Sequence, residues 1–374
     1  MKRIFAITFL NHLVSGGLAL IIPLLLLKRN VNLAEIGIVI SILPLVFLVV
    51  RLLLATLADQ VGWARFYLLL NWPGTVFSTL IYLVANSIPA FLLGKIVEAV
   101  KVSSYWAVNR TAIFSLSPKQ KAAGATRNAA VISLSTAIGS AISGVALVFM
   151  GFELTLGMLI LASAIMVIPA ALLWRAQRMK SRAGVLEAMA LLNPRDKGKI
   201  FWFVSFAMLF FSLAFYPLFA LLLPVFMVQQ LGYDYITIGV AFMLYGLLAA
   251  SVTFSTLRIR LDIRRVVVQS VIALFVTFLL ANSGSYFLAL FLALALADGL
   301  GIGFFESIIA KATKNELTVS VDVGLLHIPM RVAEFTSVLL AGFVAQSFGY
   351  MPVFAASGIF FTVFSVLSLY ALKM

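Results

Sequence analysis

The sequence contains no cysteine, only two histidines and few charged residues. Without cysteine the chain can supply neither a thiolate metal ligand, nor a redox pair, nor a disulfide. Charged residues are 11% of the 374 residues, whereas they are about a quarter of an average soluble protein. So few charges cannot cover a water-facing surface. These shortages exclude a disulfide-stabilised secreted domain, an ordinary soluble enzyme and a disordered chain.

Apolar side chains are what the sequence has in excess. They make up 63% of the chain, and the mean hydropathy is +1.13. A helix needs about 20 apolar residues to cross a membrane, and the long apolar runs lack the alternation that a membrane β-barrel requires. We therefore predict an all-α polytopic membrane protein with twelve transmembrane helices. The predicted spans are residues 4–27, 33–57, 66–85, 89–109, 123–149, 154–174, 200–227, 235–257, 265–282, 285–309, 321–348 and 351–372.

The positive charges are divided unevenly between the predicted loops. Of the 27 Lys and Arg residues, 21 fall on one side of the predicted membrane, two (Lys28 and Arg29) on the other and four within the spans. Arg110 is counted among the 21. Cytoplasmic loops carry such an excess, so we expect both termini in the cytoplasm of a multi-pass protein of the plasma (or inner) membrane. The net charge of +14 then reflects topology, and nucleic-acid binding is not expected.

The chain repeats itself at about half its length. Four features recur in the same order at offsets of 201, 202, 200 and 198, namely Pro23 and Pro224, Gly37 and Gly239, Arg65 and Arg265, and Gly144 and Gly342. Transporters are often built from two repeated halves with the substrate site between them. We predict two pseudo-symmetric six-helix bundles, residues 1–174 and 200–374, joined by a cytoplasmic linker at residues 175–199.

Three short motifs resemble those of the major facilitator superfamily. After predicted helix 2, the residues Asp59, Gly62 and Arg65 match the family's Gly-x-x-x-Asp-(Arg)-x-Gly-(Arg)-x-(Arg) loop, although Ala replaces its first Gly. Residues 94–99, Gly-Lys-Ile-Val-Glu-Ala, are similar to its Gly-Arg-x-x-Gln-Gly in helix 4. Residues 117–124 look like its Pro-x-x-Arg-x-x-x-Gly loop. The resemblance implies a secondary transporter that works by alternating access.

The loop after helix 2 has a physical interpretation as well as a family one. Gly62 permits a tight turn that other residues make only under strain. Asp59 lies where it can accept charge-assisted hydrogen bonds from a helix N-terminus, and the resemblance implies that this bond gates the cytoplasmic side. The second half has Ile259 and Asp262 at the corresponding positions, so we expect a weaker gate there.

Several ionisable residues lie inside the predicted spans, where they are expensive to bury and usually face a cavity or one another. His327, Arg331 and Glu334 fall on one face of helix 11, and Lys95 and Glu98 are i,i+3 neighbours. The candidates for carrying a coupling proton are Asp298, Glu334, Glu98 and Glu306. The candidates for substrate contacts or ion pairs are Arg331, Lys95, Lys101, Arg51, His327 and Asn11.

Asp298 is our first choice for the coupling carboxylate. Both of its flanks are apolar, and no opposite charge lies within reach on its own helix. We expect it to exchange between a protonated form and a charge pair with Arg331. The many aromatic residues are interpreted as lipid-facing or packing groups.

The direction of transport and the substrate stay open between alternatives. Residues 139–144 are similar to the Gly-Pro-x-x-Gly-Gly motif of family exporters, and Gly139 and Gly144 should let helices approach closely. We favour proton-coupled export of a small, amphipathic organic molecule, with uptake of an organic anion as the alternative. A polytopic membrane enzyme is a distant third, because no H-E-x-x-H spacing occurs. We expect a monomer in the bilayer with no metal or cofactor.

Overall fold

A computed structural model describes residues 2–116, 121–176, 197–313 and 319–374 of the chain, without the side chains of residues 52, 55, 56, 58–61, 121, 122, 176 and 319–321. Throughout these ranges the fold is built from helices. The first set comprises α1 (Lys2–Lys28), α2 (Leu33–Val61), α3 (Trp63–Val84), α4 (Ile88–Leu116), α5 (121–150) and α6 (152–165, continued by Val167–Ala176). The second set comprises α7 (Lys199–Gln229), α8 (Tyr235–Ser255), α9 (Ile263–Leu280), α10 (Phe287–Ala312), α11 (Val319–Leu326 and Ile328–Phe348) and α12 (Met351–Lys373).

The helices agree with the predicted spans and are consistent with twelve crossings. Within the described residues, ten runs are long and apolar enough to cross a membrane, and the run Ala123–Arg175 among them contains both α5 and α6. Helix α4 is not among the ten. It carries four charged residues, Lys95, Glu98, Lys101 and Arg110. All four side chains are buried within the protein.

Glycine makes the corresponding turn in each set. Gly151, between α5 and α6, has φ 73° and ψ −179°. Gly349, between α11 and α12, has φ 79° and ψ −178°. These left-handed values favour glycine, and the two residues are separated by one of the repeat offsets. The second set also begins two helices with aspartate caps, because Asp234 accepts the Thr237 N–H and Asp262 accepts the Arg265 N–H.

Two helix pairs make the main contacts between the sets, α5 with α8 and α2 with α11. In the sequence repeat, α5 of the first set corresponds to α11 of the second, and α2 corresponds to α8. The two contacts are therefore equivalent, as a pseudo-twofold axis between the sets requires. Glycines sit at both crossings. A Cβ atom at Gly144 would lie 2.9 Å from the Cα of Gly239, and one at Gly37 would lie 3.3 Å from the Cα of Gly342. Only residues without a side chain allow two backbones to come so close.

The apolar core differs between the two ends of the molecule. We call the end where α1 begins and α12 finishes the terminal end, and the other the opposite end. At the opposite end one core joins both sets, since buried residues 18–26 of α1 and 221–227 of α7 belong to the same cluster. At the terminal end most of the core of each set forms a separate cluster, although Val323 of α11 packs into the cluster of the first set. The shared apolar core therefore lies at the opposite end, and the sets share less of their apolar core towards the terminal end.

Candidate functional site

A cavity of about 350 Å³ lies where the two helix sets separate. It is lined by α4 and α5 of the first set and by α7, α8, α10 and α11 of the second. It extends from Phe242 and Ser140 near mid-depth to Ile113 and Ala125, which are within two turns of the terminal ends of their helices. Its position matches the interface that the sequence repeat predicts for a substrate site.

Eight aromatic side chains line this cavity. They are Trp106, Phe211, Phe215, Tyr216, Phe219, Phe242, Tyr245 and Phe305. The interpretation of the aromatic residues as lipid-facing or packing groups therefore missed these eight. The spacing of four residues between Phe211, Phe215 and Phe219 in α7 places them on one helical face, and this was the available sequence pattern.

Asp298 lies on the cavity wall near the middle of α10. Its side chain is buried, and Oδ1 has no hydrogen-bond partner among the described residues. The hydroxyl group of Tyr245 in α8 lies close enough to this carboxyl group to interact with it electrostatically. Gly299 explains the proximity of α8, because a Cβ atom there would lie 2.6 Å from the Ala249 carbonyl oxygen. The carboxyl group thus faces an aromatic cavity at the interface of the two sets.

In this structure Arg331, the expected partner of Asp298, is engaged elsewhere, and a pair between the two in another state stays a prediction. Arg331 Nη1 donates to Glu334 Oε2 one turn along α11, and Ser212 of α7 donates to the other oxygen of Glu334 at 3.2 Å. Glu334 lines the cavity. His327 points back along its helix, with Nδ1 2.6 Å from the Val323 carbonyl oxygen.

Glu306 forms an ion pair that connects the two helix sets. Arg110 Nη1 and Nη2 donate to Glu306 Oε2 and Oε1 at 2.8 and 3.0 Å. Both side chains are more than 90% buried and both line the cavity. The assignment of Arg110 to a loop was therefore wrong, because α4 continues to Leu116 and carries Arg110 inside the bundle.

Apart from Arg51, the remaining candidates of the first set form a polar cluster that is not part of the described cavity wall. Glu98 Oε2 accepts from Lys95 Nζ at 2.8 Å and from the Tyr82 hydroxyl at 2.6 Å. Lys101 is fully buried and donates to Ser15 Oγ at 2.8 Å. In the same region the Asn71 amide donates to Asn11 Oδ1 at 3.2 Å. The cluster ties together α1, α3 and α4.

The loop after α2 is described only in part. Gly62 has φ 89°, the left-handed conformation expected of it, and Arg65 lies in the first turn of α3. The side chain of Asp59 lies outside the described residues, so the gating contact stays a prediction. At the corresponding loop of the second set, Asp262 caps α9 instead.

Gly139 and Gly144 of helix α5 pack against different neighbours. A Cβ atom at Gly139 would lie 1.9 Å from the Leu13 carbonyl oxygen of α1, whereas one at Gly144 would lie 2.4 Å from the Tyr235 carbonyl oxygen of α8. Gly139 thus holds the first set together, and Gly144 holds the first set to the second.

Within the described residues, no group of three or more His, Asp and Glu side chains is placed to hold a metal ion.

The sequence and the fold are similar to those of known proteins. The sequence model of the Major Facilitator Superfamily matches residues 4–315. The structure is similar to the crystal structure of the human organic anion transporter MFSD10 (TETRAN), with a TM-score of 0.71 over 98% of this chain and 99% of that chain. The two sequences are 16% identical, so this likeness concerns the fold. No curated protein matches the sequence.

Proposed function

Because this chain belongs to the Major Facilitator Superfamily, we propose that it is a proton-coupled secondary transporter that exports small amphipathic organic molecules. The observation that carries the proposal is Asp298, a buried carboxyl group in an aromatic cavity between the two helix sets, one oxygen of which has no hydrogen-bond partner among the described residues. The aromatic walls suit an apolar body, and the carboxyl group suits a proton or the positive charge of a substrate. These two occupants compete, which is the basis of exchange.

The charge of Asp298 controls this exchange. An ionised carboxylate is costly in an apolar site unless it is paired. It is therefore stabilised either by a proton or by a bound cationic substrate. Release of the substrate then requires uptake of a proton, and release of the proton requires rebinding of a substrate.

Alternating access follows from the two kinds of contact between the sets. The glycine crossings and the shared apolar core close the opposite end, while the cavity extends towards the terminal end. We propose that residues 1–174 and 200–374 rock as two bodies joined by residues 175–199, and that the terminal end faces the cytoplasm. The observed structure is then the inward-facing form.

The test uses purified protein in liposomes with ethidium, an aromatic cation, as the probe. An acidic interior should drive accumulation of the dye, because protons that leave the vesicle exchange for dye that enters. Asp298→Asn mimics the protonated form, which does not pair with a cation, so it should bind the dye weakly and abolish its accumulation. Glu153→Gln, at an exposed acid near the opposite end, is the matched control and should transport normally. Undiminished accumulation by Asp298→Asn would contradict the proposal.

Uptake of an organic anion is the second candidate, and a specific observation favours it. Three buried arginines, Arg51, Arg110 and Arg331, lie near one another on the terminal side of the cavity, where two of them are paired with the carboxylates of Glu306 and Glu334. Accumulation of naphthalene-2-carboxylate in place of ethidium, driven by an inward proton gradient, would support this function over export of cations.

A further inference from the structure

Arg51 is a buried guanidinium group with two nitrogen atoms that have no hydrogen-bond partner among the described residues. It lies in α2 and is 3% exposed. Its Nε and Nη1 atoms are buried, and neither has a hydrogen-bond partner among the described residues. Buried polar groups are nearly always hydrogen-bonded, and a buried charge without a counterion is costly. A group of this kind implies that something else supplies the missing acceptors.

The surroundings of Arg51 are positive. Its Cζ lies 5.5 Å from the centre of the Phe47 ring, one turn earlier in α2, and the Cζ of Arg331 from α11 lies 4.0 Å from the same ring. The charged groups that act most on Arg51 are Arg331 and Arg110. Arg331 is paired with Glu334, and Arg110 with Glu306. No carboxylate within the described part of the chain forms an ion pair with Arg51.

Arg331 connects this position to the cavity. Its partner Glu334 forms part of the cavity wall, and the Nε of Arg331 is buried and without a hydrogen-bond partner among the described residues. Neither arginine lines the described cavity, so an anionic group that enters from the cavity has to pass Glu334 before it meets the vacant donors of the two arginines. Guanidinium groups bind carboxylates, sulfonates and phosphates through parallel N–H donors, and the Phe47 ring holds both cations in place.

We propose that Arg51 and Arg331 form a binding site for an oxyanion carried by an amphipathic molecule. The proposal rests on the proposed function and adds amphipathic molecules with an acidic group to those that the transporter binds. The same chemistry is offered by a transported organic acid and by the headgroup of an anionic lipid. The oxyanion lies between α2 and α11, with its apolar part towards the aromatic cavity.

The first experiment measures binding to the purified full-length protein in detergent. Naphthalene-2-carboxylate and naphthalene-2-sulfonate should bind at least tenfold more tightly than the neutral 2-naphthamide. Arg51→Gln should remove this preference, Arg51→Lys should keep part of it, and Arg175→Gln, at an exposed arginine, should leave it unchanged. Equal affinities of the wild-type protein for the acid and the amide would overturn the proposal, as would acid binding by Arg51→Gln that equals that of the wild type.

The second experiment separates binding from a structural role of Arg51. Without any anion, Arg51→Gln removes a buried charge that forms no ion pair within the described part of the chain, so its Tm should equal or exceed that of the wild type. A large fall in Tm in anion-free buffer would mean that Arg51 braces the fold, and the proposal would fail. This measurement also shows whether the variant is folded.

A third arm identifies the source of the oxyanion. In phosphatidylcholine nanodiscs, added phosphatidylglycerol should leave naphthalene-2-carboxylate binding unchanged if the natural ligand is a soluble acid. If the lipid raises the Tm and weakens acid binding in the wild type but not in Arg51→Gln, the oxyanion site stands and belongs to a lipid. Loss of acid selectivity leaves proton-driven ethidium transport intact, so failure here is distinct from failure of the proposed function.

Discussion

The ion pair between Arg110 and Glu306 is the residue-scale contact that links the two helix sets on the terminal side of the cavity. Both partners are buried, so removing one leaves the other without compensation. We expect Arg110→Met to destabilise the observed state by roughly 3–5 kcal/mol. The double variant Arg110→Met/Glu306→Met should regain most of this loss, because an apolar pair of similar size replaces the ions.

Denaturant unfolding of the four proteins of this double-mutant cycle measures the coupling directly. Arg175→Met is the control, since an exposed arginine should change stability by no more than about 0.5 kcal/mol. Losses that simply add in the double variant would show that the two side chains do not stabilise each other.

The sequence could predict neighbours within a helix but not across helices. The i,i+3 spacing placed Lys95 beside Glu98 and Arg331 beside Glu334, and both pairs are in contact. The pairing of Arg110 with Glu306 spans 196 positions. It depends on how two helices from different sets are rotated against each other. No periodicity within either helix contains that information, and the same holds for the predicted pairing of Asp298 with Arg331.

At the scale of helices, two wide turns were not predicted although a sequence feature marks them. Helix α3 forms a π-turn at Tyr67–Asn71, and helix α7 forms one at Leu218–Leu222. A proline, Pro73 or Pro224, follows each turn by two residues. Proline lacks an N–H and its ring collides with the carbonyl four residues earlier, and a widened turn relieves this collision. In α7 the wide turn contains Phe219, so the helix deforms where it lines the cavity.

The crossing of α5 and α8 provides a prediction about closure of the opposite end. Gly144→Ala would place a Cβ atom 2.4 Å from the Tyr235 carbonyl oxygen and 2.9 Å from the Gly239 Cα. Neither backbone atom can move without moving its helix. We therefore expect the opposite end to open, with spin-label distances between α5 and α8 becoming longer at that end.

Gly157→Ala in α6 is the matched control for this substitution. A Cβ atom there meets nothing within 4 Å, and alanine is favoured over glycine in a helix by about 1 kcal/mol. The control should keep the wild-type distance distribution and be equally or more stable. If Gly144→Ala gives the same distribution as the control, the glycine crossing does not hold the opposite end shut.

At the scale of the whole molecule, the sequence repeat predicted more than the composition did. Composition indicates only a helical membrane protein. The repeat offsets relate Gly151 to Gly349 and Gly144 to Gly342. In the structure Gly151 and Gly349 have the same backbone conformation, and Gly144 and Gly342 lie at equivalent helix crossings. The cavity could not be derived in this way. Its aromatic lining comes from four helices of both sets, and which face of each helix turns inward depends on packing between the sets.

The orientation in the membrane is the remaining whole-molecule prediction, and the structure strengthens its physical basis. The two basic residues assigned to the opposite end are held there by local contacts. Lys28 lies 5.0 Å from the centre of the Phe152 ring, and Arg29 donates to the Ala85 carbonyl oxygen. They are thus exceptions with a structural cause, and the remaining loop charges favour a cytoplasmic terminal end.

The absence of cysteine makes this orientation simple to test, because a single introduced cysteine is labelled without background. Ser285→Cys lies at an exposed position between α9 and α10 at the opposite end, and Arg260→Cys lies at an exposed position between α8 and α9 at the terminal end. In intact cells an impermeant maleimide should label Ser285→Cys and leave Arg260→Cys unlabelled, whereas both should react after the membrane is made permeable. Labelling of Arg260→Cys alone in intact cells would mean that the chain is inserted the other way. The cavity would then open outwards in the observed structure, and the proposed inward-facing form would be its outward-facing counterpart.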